Sequence, residues 1–122
     1  KVAVAGKHRN SDEVGGIDFA GRDHPERLEG RRASYRARAI AGADLLLVRA
    51  RAFAGSARLT VVVNGTALPP LELGPRFREQ RLRLLQPIDA MVKPISLELR
   101  RDGAAVELDH LLLVRDVTSP RL

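Results

Sequence analysis

The sequence predicts an all-β fold, an antiparallel β-sandwich of jelly-roll type with about eight strands, on three observations. From Arg32 onward apolar side chains recur with a period of two, as in strands that bury one face. Glycine, proline and Asx turn signals break these runs roughly every 8 to 12 residues, the spacing of a sandwich. No stretch sustains the 3.6-residue period of a helix.

The first thirty residues are the least regular. Val2 to Ala5 and Ile17 to Ala20 are short candidate strands, while Gly6 to Gly16 and Gly21 to Gly30 are polar, glycine-punctuated loops. Short helical turns are expected at Asp23 to Leu28, where Pro25 stands near the start, and around Pro87 to Val92. In Arg32 to Ile40, Ala33, Tyr35, Ala37 and Ala39 share one side and arginines and Ser34 the other. Asp44 to Phe53 alternates Leu46, Val48, Ala50 and Ala52 with Leu45, Leu47, Arg49 and Arg51, and its two apolar faces predict a central strand.

Leu59, Val61 and Val63 continue to Asn64-Gly65, a dipeptide that tolerates the positive φ angles of a tight hairpin. Thr66 to Leu73 carries Pro69 and Pro70, which lack a backbone donor and confine it to an edge. Arg78 to Leu85, with Leu82 and Leu84 in phase, ends before Pro87. Pro94 opens a strand with Ile95, Leu97 and Leu99, and Asp102-Gly103 marks a second hairpin. Val106 to Val114 closes the chain as a long strand, with Val106, Leu108, His110, Leu112 and Val114 on its core face. That phase leaves Leu111 and Leu113, with Leu45 and Leu47, on outer faces, where neighbours would form an apolar patch suited to a protein partner.

At 122 residues the chain suits one domain with one core. Hydrophobic residues at 44% and charged residues at 30% fit a globular protein and exclude a disordered tail or a collagen-like repeat. No apolar run approaches the roughly 20 residues of a membrane helix. The chain lacks an initiator Met and a signal-peptide pattern, which predicts a processed chain or a module of a larger protein. It has no Cys, removing disulfides, thiolate zinc sites and cysteine nucleophiles.

The net charge is +6 and the basic residues are arginines apart from Lys1, Lys7 and Lys93. Arg, Ala, Leu and Gly enrichment is the bias of GC-rich coding, so the basic charge alone does not point to nucleic acid, for which no motif or interleaved aromatics are present. A sequence-independent polyanion surface would use Arg36, Arg38, Arg49, Arg51, Arg81 and Arg83.

The densest polar cluster, Gly21-Arg22-Asp23-His24-Pro25-Glu26-Arg27, brings acid, base and cation together in a loop. It can form a catalytic or metal site, with His24 relaying protons and Asp23 and Glu26 supplying oxygens, or a self-compensating solvated surface. Phe77, beside a loop, is a candidate stacking surface, while Tyr35 and Phe53 are expected in the core. Asp12 and Asp109 are candidate ligands of a structural calcium, although Asp109 can equally pair with an arginine on the next strand. His8, His24 and His110 are dispersed and lack zinc-ligand spacing. No nucleophile elbow, phosphate loop or dinucleotide fingerprint is present, so the chain is not expected to be an enzyme. Asn64-Gly65-Thr66 matches the N-glycosylation acceptor pattern, but the hairpin accounts for the same residues.

Tyr35-Arg36, Asp44 to Ala52, Leu59-Thr60-Val61-Val62-Val63-Asn64-Gly65 and Val106 to Val114 together resemble the galactose-binding-like jelly-roll superfamily, to which carbohydrate-binding modules belong. Asp12 to Arg36 is similar to the β-sandwich modules attached to bacterial envelope glycosyltransferases and other polysaccharide enzymes. The resemblance implies a non-catalytic accessory module that contacts glycan or positions a partner domain, in an extracytoplasmic or envelope setting; on that reading Arg22, Asp23, His24 and Glu26 hydrogen-bond the sugar beside Phe77, and arginine forks favour acidic glycans over neutral ones. The chain departs from typical sugar binders in having no Trp.

Overall fold

The structure, a computed structural model, describes residues 14–19, 25–38, 40–89 and 94–116. The expectations for Val2 to Ala5, Asp12, Arg22, Asp23 and His24 fall outside these residues, as does the second half, residues 90–92, of the turn expected around Pro87 to Val92. Ten strands are described: β1 (Val14–Asp18), β2 (Glu26–Leu28), β3 (Arg32–Ala37), β4 (Leu45–Ala52), β5 (Ala57–Val63), β6 (Thr66–Ala67), β7 (Leu71–Leu73), β8 (Arg78–Arg83), β9 (Ile95–Gly103) and β10 (Val106–Val114). They form two antiparallel sheets. Sheet A runs β1-β10-β4-β8 with β2 also on β10, and sheet B runs β3-β9-β5-β6 with β7 also on β5. The antiparallel jelly-roll sandwich is therefore present, with ten strands where about eight were expected, three of them (β2, β6 and β7) no longer than three residues.

Between the sheets, Leu46 and Val48 of β4 meet Leu59 and Val61 of β5, Leu97 and Leu99 of β9, and Leu111 and Leu113 of β10. Each fully buried Leu is worth about 1.5–3 kcal/mol. An exposed ion pair is worth about 0–1 kcal/mol, so the core, not the arginine rows, holds the fold. Asn64 (φ 48°) and Gly65 (φ 88°) make the expected tight turn from β5 to β6. Pro69 and Pro70 split the edge stretch into β6 and β7, because neither can donate to a ladder.

Several expectations are corrected. Glu26 to Leu28 is extended and pairs with β10 rather than turning as a helix. Gly15 and Gly16 belong to β1 rather than to a loop, and they are needed there. Gly16 has φ 94°, and a Cβ on it would stand 2.0 Å from the Leu111 carbonyl oxygen. A Cβ on Gly15 would stand 2.6 Å from the Arg38 carbonyl oxygen, to which Gly16 N donates at 3.2 Å, so β1 of sheet A is tied to the end of β3 in sheet B. Asp102-Gly103 reverses the chain as predicted, but β9 lies in sheet B and β10 in sheet A, so the turn crosses the sandwich instead of joining a hairpin.

The largest correction concerns β10. Leu108 pairs with Ala50 and His110 with Arg49, leaving Asp109 as an extra residue in a bulge. One inserted residue inverts the phase beyond it. Leu111 and Leu113 consequently enter the main core, while Leu112 and Val114 join Leu45 and Leu47 in a second buried cluster on the opposite face of sheet A. The expected exposed patch of Leu45, Leu47, Leu111 and Leu113 does not form. Phe53, expected in the core, lies exposed just beyond β4, while Tyr35 packs edge-to-face against the buried Phe19 at 5.3 Å.

Candidate functional site

Two polar regions stand out, and their chemistry differs. The first is a row across the outer face of sheet A. Register places Arg27 of β2, Glu107 of β10 and Arg51 of β4 side by side. Glu107 accepts from Arg51 Nε at 2.8 Å and from Arg27 Nη2 at 3.4 Å. Burial raises the Glu107 carboxyl, but hydrogen bonds and charge from Arg51 and Arg27 outweigh it and hold the group below its usual value. In the bulge, Arg49 Nε donates to Asp109 Oδ2 at 2.8 Å. His110, 1% exposed, has Nε2 at 2.9 Å from Glu79 Oε1, and its Nδ1 has no partner.

Aromatic rings cap this row at both edges. The Arg49 and Arg51 guanidiniums lie 5.6 and 5.0 Å from the Phe77 centroid, and Arg27 lies 3.9 Å from that of Phe53. Their positive charge meets the negative ring face, so these arginines occupy surfaces on which a sugar would stack. Glu26 sits in β2 at the same end of sheet A, where its Oε2 accepts from the Tyr35 hydroxyl at 3.3 Å. Burial, the Glu26 charge and this hydrogen bond push the Tyr35 phenol up to about 12. Glu26 and Phe77 are thus at one end of the sheet but on opposite edges, with Arg27, Glu107 and Arg51 between them.

The calcium expectation finds a poor fit among the described residues. No group of three His, Asp or Glu side chains converges on a common point, and the Asp109 carboxylate is taken by Arg49. A hard cation wants about six to eight oxygens, and the described side chains gather no carboxylate cluster to supply them. Of the six arginines proposed for polyanions, three are likewise engaged: Arg83 pairs with Asp44 and Asp116, Arg51 with Glu107, and Arg49 with Asp109.

The second region is a cavity of about 340 Å³ at the other end of the sandwich, between the β5–β6 turn and the segment following β8. Leu68, Leu84 and Ile88 are buried beneath it. Asn64, Thr66 and Gln86 line it as exposed polar residues, and Leu85, 74% exposed, stands at it as the most exposed large hydrophobe among the described residues.

Both walls are fixed by backbone bonds. Asn64 N donates to Ser96 O at 2.9 Å and Asn64 Oδ1 accepts from Ser96 N at 2.8 Å, pinning the turn to β9. Across the cavity, Leu84 N donates to Asp44 O at 2.9 Å, Ile88 N to Ala43 O at 2.8 Å, and Gly42 N to Ile88 O at 2.9 Å. A cavity held this way needs little ordering when a ligand enters. The sequence reasoning did not select these residues. One signal was available: Leu85 is apolar directly after the in-phase Leu84, so it falls on the solvent side of the strand pattern just before Gln86-Pro87.

The architecture defines the class as a jelly-roll β-sandwich like that of carbohydrate-binding modules. The CBM36-1 domain of a multidomain xylanase from the hindgut metagenome of Trinervitermes trinervoides is similar at 16% identity, over 74% of this chain and 77% of that one, with TM-score 0.55. A CBM36 carbohydrate-binding module solved in complex with calcium and xylotriose is similar at 15% identity, over 80% of this chain and 85% of that one, with TM-score 0.50. The insecticidal crystal protein Cry2Aa is similar at 17% identity, over 75% of this chain and 17% of its own length, with TM-score 0.57. Likeness at these identities shows the fold. No protein-family model and no curated protein sequence matches the chain.

Proposed function

We propose that this domain is a non-catalytic carbohydrate-binding module, an accessory unit of a larger extracytoplasmic protein, and that its saccharide seat is the cavity between the β5–β6 turn and residues 84–89. The observation that carries this reading is the cavity itself: a preformed recess of about 340 Å³ with an apolar floor and amide and hydroxyl groups at its rim. A sugar ring offers C–H faces to such a floor and hydroxyls to such a rim. The two CBM36 neighbours, which cover most of their own length in the match, support the reading; one of them was solved with xylotriose. The outer-face row of sheet A favours this seat indirectly, because its charges and aromatic faces already serve one another.

Affinity electrophoresis tests the proposal. In native gels containing a soluble polysaccharide the chain is expected to migrate more slowly than in gels without it, for at least one member of a panel of plant and bacterial glucans, xylans and galactans. Unchanged mobility with every member would overturn it.

A further inference from the structure

The chemistry of the cavity carries a statement about which glycans it takes. Among the described lining residues there is no Arg, Lys or His, in a chain whose net charge is +6. The charged group among them is the carboxylate of Asp89. Asn64 spends its Oδ1 on Ser96 N, which leaves its amide NH₂ as the donor it can offer, beside the Thr66 hydroxyl and the Gln86 amide. Neutral donors and acceptors suit hydroxyl groups. Among the described lining residues a carboxylate or sulfate would lose water without gaining a cation.

Resting on the carbohydrate-binding reading above, we infer that the cavity selects uncharged saccharides against carboxylated or sulfated ones, with Leu85 as the apolar contact for the sugar ring. At about 340 Å³ the cavity lies at the small end of ligand pockets, which span about 300–1,000 Å³, so it takes a chain end or a short stretch rather than a long polymer. Leu85 supplies what an aromatic platform would otherwise give: it stands 74% exposed, with no role in the core to explain an apolar side chain there. The abundance of arginine, which from sequence favours acidic glycans, belongs to a different part of the molecule.

The test is isothermal titration calorimetry of the whole chain and of its Leu85→Ala variant. The ligands are uncharged oligosaccharides of xylose, glucose and galactose and, in parallel, oligogalacturonate, each at low and high salt. The expected result is binding of an uncharged oligosaccharide that is insensitive to salt, at least about tenfold weaker binding of oligogalacturonate, and about a tenfold loss in Leu85→Ala. Leu85 is exposed, so the variant is expected to fold as the parent does, which its thermal midpoint checks. Tighter binding of oligogalacturonate that collapses with salt would overturn the inference and leave the carbohydrate-binding reading standing. Uncharged binding unaffected by Leu85→Ala would overturn the assignment of Leu85 and the cavity. Absence of binding to every sugar would overturn both the inference and the function beneath it.

Discussion

The outer face of sheet A and the cavity at its far end are both polar surfaces of the same sandwich, yet they have opposite relations to solvent. On the sheet, charges are numerous and spent: Glu107 is shared by Arg27 and Arg51, Asp109 is held by Arg49, and Phe77 and Phe53 lie under guanidiniums. In the cavity, charge is scarce, while amides, a hydroxyl and an exposed leucine face outward over a rigid floor. Dense charge on a protein surface is thus a poor guide to where a ligand sits. A group already paired must lose its partner before it can bind anything, whereas an unspent neutral donor need lose only water.

The difference can be broken from the structural side first. Gly16→Ala forces a Cβ into a site 2.0 Å from the Leu111 carbonyl oxygen at a φ of 94°, so β1 must leave β10 or shift. A loss of about 3 kcal/mol or more is expected in urea unfolding, the largest effect of any single change here. Next, Glu107→Ala leaves Arg51 and Arg27 facing each other without their shared carboxylate. A loss of about 1–2 kcal/mol in the same measurement is expected, with glycan affinity unchanged. If affinity falls with it, the row takes part in binding and the contrast between the regions fails.

Acid sharpens the same point. Because the Glu107 carboxyl is depressed in the folded state from its ordinary 4.5, its contribution is fully present above that pH and is lost as pH falls through the lower, folded value. Glu107→Gln is therefore expected to flatten the decline of stability below about pH 4.5, followed by urea midpoints across an acid series. On the alkaline side, the chain has one Tyr, so tyrosinate absorbance reports a single group. Its midpoint is expected at about 12 and should move toward 10 in Glu26→Gln, which removes the neighbouring charge. The raised phenol means that this contribution is present below pH 10 and is lost as pH climbs through 12. The smallest structural effect is expected at the cavity rim: Leu85→Ala should change stability by no more than about 0.5 kcal/mol, since the side chain is exposed.

Much of the fold was legible because it depends on local pattern. The two apolar faces of β4 read directly as a central strand, and Asn64-Gly65 fixed the β5–β6 turn by its backbone requirements. What escaped the sequence depends on partners. Nothing in Val106 to Val114 marks Asp109 as the extra residue, because a bulge is defined by the register against β4, and that register decides which leucines are core. Asp102-Gly103 announces a reversal but cannot say whether the chain returns to the same sheet. Glu26 to Leu28 is too short and charged to read as a strand without β10 beside it.

The candidate site was less legible for a similar reason. Its walls come from the β5–β6 turn and from residues 84–89, brought together by bonds to Ser96 and to the 42–44 segment that no pattern reveals. Of the residues singled out in advance, Glu26, Phe77 and Asp109 lie on the ion-paired sheet rather than at the cavity. Glu26 belongs to the dense polar cluster, Phe77 is an aromatic beside a loop and Asp109 a strand carboxylate, and each is already met by a neighbour: Tyr35, the Arg49 and Arg51 guanidiniums, and Arg49.

The most direct test of this account is an amide-shift NMR titration of the whole chain with an uncharged oligosaccharide selected by calorimetry, run at low and high salt. The account predicts shifts at Asn64 to Thr66 and Leu84 to Asp89 that are the same at both salts, with Arg27, Arg49, Arg51 and Glu107 undisturbed. Shifts centred on those four residues and on Phe77, with the cavity silent, would contradict it.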